Sequence, residues 1–267
     1  MITPGEIQQK AADAGVRDTQ MEKDYILSWI LQGIAEHSKL SSAIIFKGGT
    51  VLKKVYFSGY RFSEDLDFTL ADENISNKQI FEWFKEVFAY IRVEANIPLD
   101  IIAENEHRDG GINFYISYVG PLGGTGKQKS VKVDISRNEK LIFPPVIRPA
   151  LLSYSDQFEH QVLCYPLEEI LIEKMRSVMQ RMQARDLYDI WYLLEIKKMD
   201  PGFYLKEFQQ KCKDKELKST EFIAFLKKRL PQYKARWEGS ISEQIHKLPA
   251  FDQVEREINR HFRNIAF

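Results

Sequence analysis

The chain has 267 residues, 44% of them hydrophobic and 12% aromatic, enough to bury a sizeable core in one large domain or two modest ones. Formal net charge is zero, which does not advertise a polyanion binder, and two cysteines with five scattered histidines exclude a disulfide framework and a histidine metal site. No apolar run reaches the roughly 18 residues of a membrane helix and the N-terminus lacks a signal-peptide layout, so a cytoplasmic protein without a membrane partner is expected.

The first helical periodicity spans residues 17 to 37, where Met21, Tyr25, Leu27, Trp29, Ile30 and Ile34 recur behind Asp18 or Thr19 as a cap. A strand is predicted at 43 to 46, a short helix at 50 to 57, and a strand from Asp65 to about Leu70. Ser76 caps a second long helix that runs to Ala95 with Ile80, Phe84, Val87 and Ile91 on its apolar side. Three strands follow, at 99 to 103, 112 to 119 and 131 to 135, with Asp109-Gly110-Gly111 as the turn between the first two.

Residues 120 to 129, GPLGGTGKQK, have only a superficial likeness to a P-loop. Pro121 and Gln128 stand where that motif needs Gly and Ser or Thr, and the next element is a strand rather than a helix. The segment reads as a long hairpin loop within reach of substrate. FPPVIRP, 143 to 149, reads as a rigid extended linker and divides a domain at 1 to 145 from one at 146 to 267. The second is almost wholly helical, with helices predicted at 167 to 184, 186 to 197, 203 to 213, 219 to 236 and 250 to 263. The fold class is therefore α/β (α+β), a mixed sheet flanked by helices followed by a helical domain.

Residues 47 to 68 carry the chemistry. Gly48 and Gly49 lie on a strand-to-helix turn, where the absence of Cβ lets backbone N–H groups approach a phosphate. Asp65 and Asp67 are two residues apart on one strand, so both side chains face the same way, about 7 Å apart. Magnesium takes oxygen ligands from one or two carboxylates plus substrate phosphates, and two such ions assist in-line phosphoryl displacement. In VKVDIS, Val131, Val133 and Ile135 face one side while Lys132, Asp134 and Ser136 face the other, which makes Asp134 a third candidate metal carboxylate.

A second polar row lies in residues 166 to 191. On an unbroken helix Arg181, Arg185 and Asp189 fall at about −20°, +20° and +60° from Lys174, one stripe whose cations call for an anion; a surface laced with ion pairs is the alternative, and a break near Ala184 would alter the geometry. Charge is also uneven along the chain. Residues 61 to 110 hold 12 Asp/Glu and 5 Lys/Arg, net −7; residues 197 to 236 hold 12 Lys/Arg and 5 Asp/Glu, net +7. The basic stretch suits either a polyanion or solvated helix faces.

Together, G-G-T-x-L at 48 to 52, R-x-S-x-D-x-D-F at 61 to 68, and Lys174, Ser177, Arg181, Arg185, Asp186 and Asp189 resemble the AbiEii toxins, minimal nucleotidyltransferases of the polymerase-β-like superfamily. The resemblance covers about residues 20 to 195. It implies an active site on Asp65 and Asp67, which would hold Mg²⁺ (or Mn²⁺) bridging an NTP, with Gly48, Gly49 and Thr50 cradling the phosphates. Asp134 would complete the metal site or act as base. Lys174 would neutralise nucleotide charge, while Asp186 and Asp189 orient Lys174 and the arginines, Arg181 and Arg185, or meet the nucleotide or acceptor. Ser63 makes a phosphate contact or a local turn bond.

The function implied is transfer of a nucleoside monophosphate to an acceptor hydroxyl, tRNA in some members, by the toxin of a toxin–antitoxin or phage-defence system with a cognate antitoxin. Two alternatives stand beside it: a small-molecule nucleotidyltransferase of the aminoglycoside-modifying kind, and a nucleotide-binding or protein-interaction module without turnover.

Overall fold

A computed structural model describes residues 1–107, 110–126, 129–265 and 267. Asp109 of the expected turn, and Lys127 and Gln128 of the hairpin loop, lie outside these. The chain divides into two compact units, Met1–Glu139 with Pro145–Tyr165, and Lys140–Pro144 with Pro166–Phe267.

The first unit opens with α1 (Pro4–Ala14), capped by the Thr3 hydroxyl, and α2 (Asp18–Glu36). The short α3 (Leu40–Ala43) leads into β1 (Ile44–Lys47). A further helix, α4 (Gly48–Val51), passes directly into a single wide turn at Leu52–Tyr56. Then come β2 (Asp65–Leu70), α5 (Asn77–Ala95), β3 (Leu99–Glu106), β4 (Ile112–Tyr118), β5 (Ser130–Ser136), β6 (Val146–Pro149) and β7 (Gln161–Cys164). As expected, Ser76 caps α5, its hydroxyl accepting from the Gln79 N–H.

The seven strands form one mixed sheet in the order β3-β4-β5-β2-β1-β7-β6. Apolar residues stack across one face in register: Phe46 opposite Phe68, Leu66 beside Val133, Val133 beside Phe114. Phe84 of α5 meets Phe114 edge to face at 4.9 Å. A Cβ on Gly33 of α2 would lie 2.8 Å from Val87 of α5, so glycine permits the close approach of the two helices over this face. Period-two alternation places the polar side chains of β2 and β5 on the opposite face.

The linker expected at 143 to 149 is instead partly strand, and the division between units falls after Tyr165 rather than after residue 145. Val146–Pro149 pairs antiparallel with Gln161–Cys164 at the sheet edge, where the N–H that Pro149 lacks is not needed.

In the second unit α6 (Leu167–Gln180) and α7 (Ala184–Trp191) are separate helices, and a wide turn continues α7 through Tyr192–Ile196. A 3₁₀ turn at Pro201–Tyr204 precedes α8 (Leu205–Lys213). Another 3₁₀ turn, Ser219–Glu221, precedes α9 (Phe222–Ile241), and α10 (Phe251–Phe262) follows. Residues 140–144 join this unit through buried charges. Glu169 Oε2 accepts the N–H groups of Ile142 and Phe143 at 3.0 and 2.9 Å, and Lys211 Nζ donates to Glu169 Oε1 at 2.8 Å and to the Lys140 carbonyl at 2.7 Å. Among the described residues no helix is long and apolar enough to cross a membrane.

Candidate active site

Register brings the predicted carboxylates together. Parallel pairing of β2 with β5 sets Asp65 beside Lys132 and Asp67 beside Asp134, so Asp65, Asp67 and Asp134 share the polar face. All three are partly exposed, while the intervening Leu66 and Phe68 are buried. Lys132 was not singled out from sequence, although its place in the same alternation put it there. Its ammonium lies 3.2 Å from Asp134 Oδ2. Burial alone would lower its pKa, but the charges of Asp134, Asp65 and Asp67 outweigh that and raise it. His107 Nε2 lies 3.6 Å from the same Asp134 oxygen.

These carboxylate oxygens have the chemistry of a hard divalent cation site, and the pull of all three on one ammonium indicates a common field for positive charge. Among the described residues no group of three or more His, Cys, Asp or Glu side chains is gathered so that it could hold a metal ion by itself.

The glycine turn packs on this group. Gly48 has φ +80°, and a Cβ there would lie 3.2 Å from Cβ and Cγ of Asp67. The Thr50 hydroxyl donates to the Asp65 carbonyl at 2.5 Å. Thr50 is thus an anchor for the strand through its side chain. Gly49 and Ser63 are buried, Ser63 in the segment entering β2. Lys47, adjacent to Asp67 in the sheet, donates to Ser136 Oγ at 3.0 Å and adds a cation that the sequence reading missed.

In the helical unit, the single stripe expected on an unbroken helix does not form. Helix α6 ends at Gln180, and the chain turns at 181–183 before α7 begins. The break nevertheless gathers most of the predicted side chains: Lys174 Nζ lies 2.7 Å from Asp186 Oδ1 and 2.8 Å from Asp189 Oδ2. Arg181 meets Asp186 through Nε at 2.8 Å and a terminal nitrogen at 3.1 Å. Burial raises the Asp186 pKa, but Lys174 and then Arg181 more than offset it and hold the carboxyl below its ordinary range. Lys174 takes the Asp189 carboxylate, and Arg185 is half-buried.

A mixed sheet carrying paired strand carboxylates beneath a glycine turn, with a helical unit bearing a Lys–Asp cluster, defines a nucleotidyltransferase. Residues 29–257 match the family model described as nucleotidyl transferase AbiEii toxin, type IV TA system. The chain belongs to this family of nucleotidyltransferase toxins.

Solved structures carry the same fold. One is MenT4, nucleotidyltransferase toxin Rv2826c from Mycobacterium tuberculosis H37Rv, at 19% identity and TM-score 0.69, covering 98% of this chain and 89% of that one. Another is JHP933 from Helicobacter pylori, at 14% identity and TM-score 0.58, covering 93% and 92%. A search of curated protein sequences finds no match.

Proposed function

We propose that this enzyme transfers a nucleoside monophosphate from an NTP to a hydroxyl of an RNA acceptor, tRNA included, in a Mg²⁺- or Mn²⁺-dependent reaction. The observation that carries the reading is the shared polar face of Asp65, Asp67 and Asp134 beneath the Gly48 turn. The acceptor oxygen forms a bond to the α-phosphorus, the bond to the bridging oxygen breaks, and that electron pair leaves with pyrophosphate.

Asp65 and Asp67 would hold the metal, which when bound neutralises phosphate charge. Asp134 is the third ligand or the base that takes the hydroxyl proton. Gly48 and Gly49 present backbone N–H groups to phosphate, and Thr50 keeps Asp65 in place. Lys174 supplies positive charge for the nucleotide, fixed by Asp186 and Asp189, with Arg181 and Arg185 beside it in the same role and Ser63 a phosphate contact. Positioning and charge stabilisation account for most of the rate enhancement. Membership of a type IV toxin–antitoxin family supports a cognate antitoxin as partner.

The test is incubation with each labelled NTP, Mg²⁺ and total tRNA, and in parallel with aminoglycosides. Label should enter RNA, and Asp65→Ala or EDTA should abolish it. Label entering only the aminoglycoside overturns the acceptor, and NTP consumption unchanged in Asp65→Ala overturns the catalytic assignment.

A further inference from the structure

Asp65, Asp67 and Asp134 put three like charges on one face of β2 and β5, and these repel one another until positive charge offsets them. Lys132 supplies such a charge. It stands in register between Asp65 on β2 and Tyr115 on β4, two residues before Asp134 on its own strand, so its stem rises from the same face as the carboxylates. Its ammonium leans to Asp134 Oδ2 at 3.2 Å.

The neighbouring hydrogen bonds leave Asp134 to this lysine. Asn113 lies opposite Asp134 in β4; its amide oxygen accepts from Asn105 at 3.3 Å, and its amide nitrogen lies 3.0 Å from His107 Nε2. An amide nitrogen only donates, so His107 Nε2 is the acceptor and carries no proton for Asp134 Oδ2, 3.6 Å away. Among the described residues Lys132 is therefore the charged partner of Asp134.

This ion pair can part easily. The Lys132 side chain is 32% exposed and that of Asp134 23%, so both meet solvent, where such pairs are weak. A divalent cation needs the carboxylate oxygen that the ammonium occupies, and two positive charges do not share it. Lysine carries a compact charge on a flexible four-carbon stem, so it can leave Asp134 and stay on the same face. Lys47, the cation on the other side of Asp67, is almost wholly buried and donates to Ser136, a fixture rather than a mobile group. An ammonium released from Asp134 remains beside Asp65 in the register, next to the bound triphosphate of the reaction proposed above.

We infer that Lys132 is an exchangeable countercation of the active site, which holds Asp134 before nucleotide binds, yields that carboxylate to the divalent cation, and then bonds a phosphate oxygen of the NTP. The inference rests on the nucleotidyl-transfer reading above and makes Asp134 a metal ligand within it.

Mn²⁺ binding to the full chain without nucleotide, followed by loss of the free-ion EPR signal, tests it, with labelled-NTP transfer to total tRNA measured alongside. Lys132→Met should bind Mn²⁺ about tenfold more tightly than wild type, because a competing charge is gone. It should nevertheless transfer nucleotide at least about tenfold more slowly, having lost a phosphate contact. A disturbed fold would not shift the two in opposite directions. Lys132→Arg should return Mn²⁺ affinity close to the wild-type value and recover part of the transfer rate. With Asp134→Asn as the background, Lys132→Met should bring no gain in Mn²⁺ affinity.

Mn²⁺ affinity that is unchanged or weaker in Lys132→Met overturns the inference, as does a gain that survives Asp134→Asn or a transfer rate equal to wild type. Wild-type transfer together with unchanged Mn²⁺ affinity in Lys132→Met overturns the exchange alone. Tighter Mn²⁺ binding by Lys132→Met, when the wild-type protein transfers no nucleotide, upholds the exchange at Asp134 and overturns the transfer reading.

Discussion

Gly48 and Asp67 are interlocked: at φ +80° the glycine backbone sits so close that an added Cβ would lie 3.2 Å from both Cβ and Cγ of the aspartate and collide with its carboxylate. Gly48→Ala combines a left-handed backbone that L side chains resist with displacement of a candidate metal ligand. Nucleotide transfer should be abolished and stability should fall by about 1–3 kcal/mol, measured by labelled-NTP incorporation and denaturant unfolding. Wild-type transfer by this variant would show that Asp67 is not held by the turn.

Thr50→Val deletes the hydroxyl that donates to the Asp65 carbonyl while keeping the side chain's shape. Loss of one hydrogen bond costs about 0.5–1.5 kcal/mol, and Asp65 loses its tether. We expect kcat to fall more than KM for NTP rises, with Thr50→Ser recovering both. Equal kinetics in the valine and wild-type proteins would exclude the anchoring role.

Asp186 titrates below its ordinary value of 3.8 in the folded protein because Lys174 and Arg181 outweigh its burial. As pH falls, the unfolded chain takes up this proton first, so the contribution to stability is complete above about pH 4 and is lost as pH drops through the native value. Asp186→Asn should be less stable at pH 7 and should lose less on going to pH 3. Chemical denaturation at the two pH values measures this, and parallel losses in both proteins would remove Asp186 from the acid transition.

Glu169 and Lys211 are both almost completely inaccessible and 2.8 Å apart. Removing either partner leaves a buried charge, so Glu169→Gln and Lys211→Met should each cost about 3–5 kcal/mol, and the double variant should cost much less than their sum. Glu169 additionally holds Ile142 and Phe143, so its loss should increase proteolysis near residues 140–144 more than the loss of Lys211 does. Additive losses would mean the pair is not coupled.

Much of the site was legible because its signals are short-range. Alternation along β2 and β5 assigned Asp65, Asp67 and Asp134 to a polar face, and a serine before an apolar periodicity marked the start of α5. The same logic applied to Lys132, but a lysine on a half-exposed strand resembles any solvated side chain until the register sets it among three carboxylates. β6 and β7 escaped notice because each is four residues long and one ends in proline; their pairing with each other and of β7 with β1 makes them strands.

A break between two helices was expected near Ala184, but its place at 181–183 marks the limit of local reading. Arg181, Met182 and Gln183 are all good helix formers, so nothing in their identity ends a helix. What accompanies the ending is distant: Arg229 of α9 donates to the carbonyls of Val178 and Arg181, and Arg181 turns to Asp186. The sequence by itself determined the family, the glycine turn, the carboxylate strands and the residue types of the Lys174 cluster, since these depend on spacing within a few residues. Tertiary structure alone decided that Asp67 faces Asp134, that Lys174 takes both Asp186 and Asp189, and that Glu22 pins a loop a hundred residues away. Those pairings depend on register and packing between segments far apart in the chain, where the gain from satisfying buried charges and hydrogen bonds outweighs local preference.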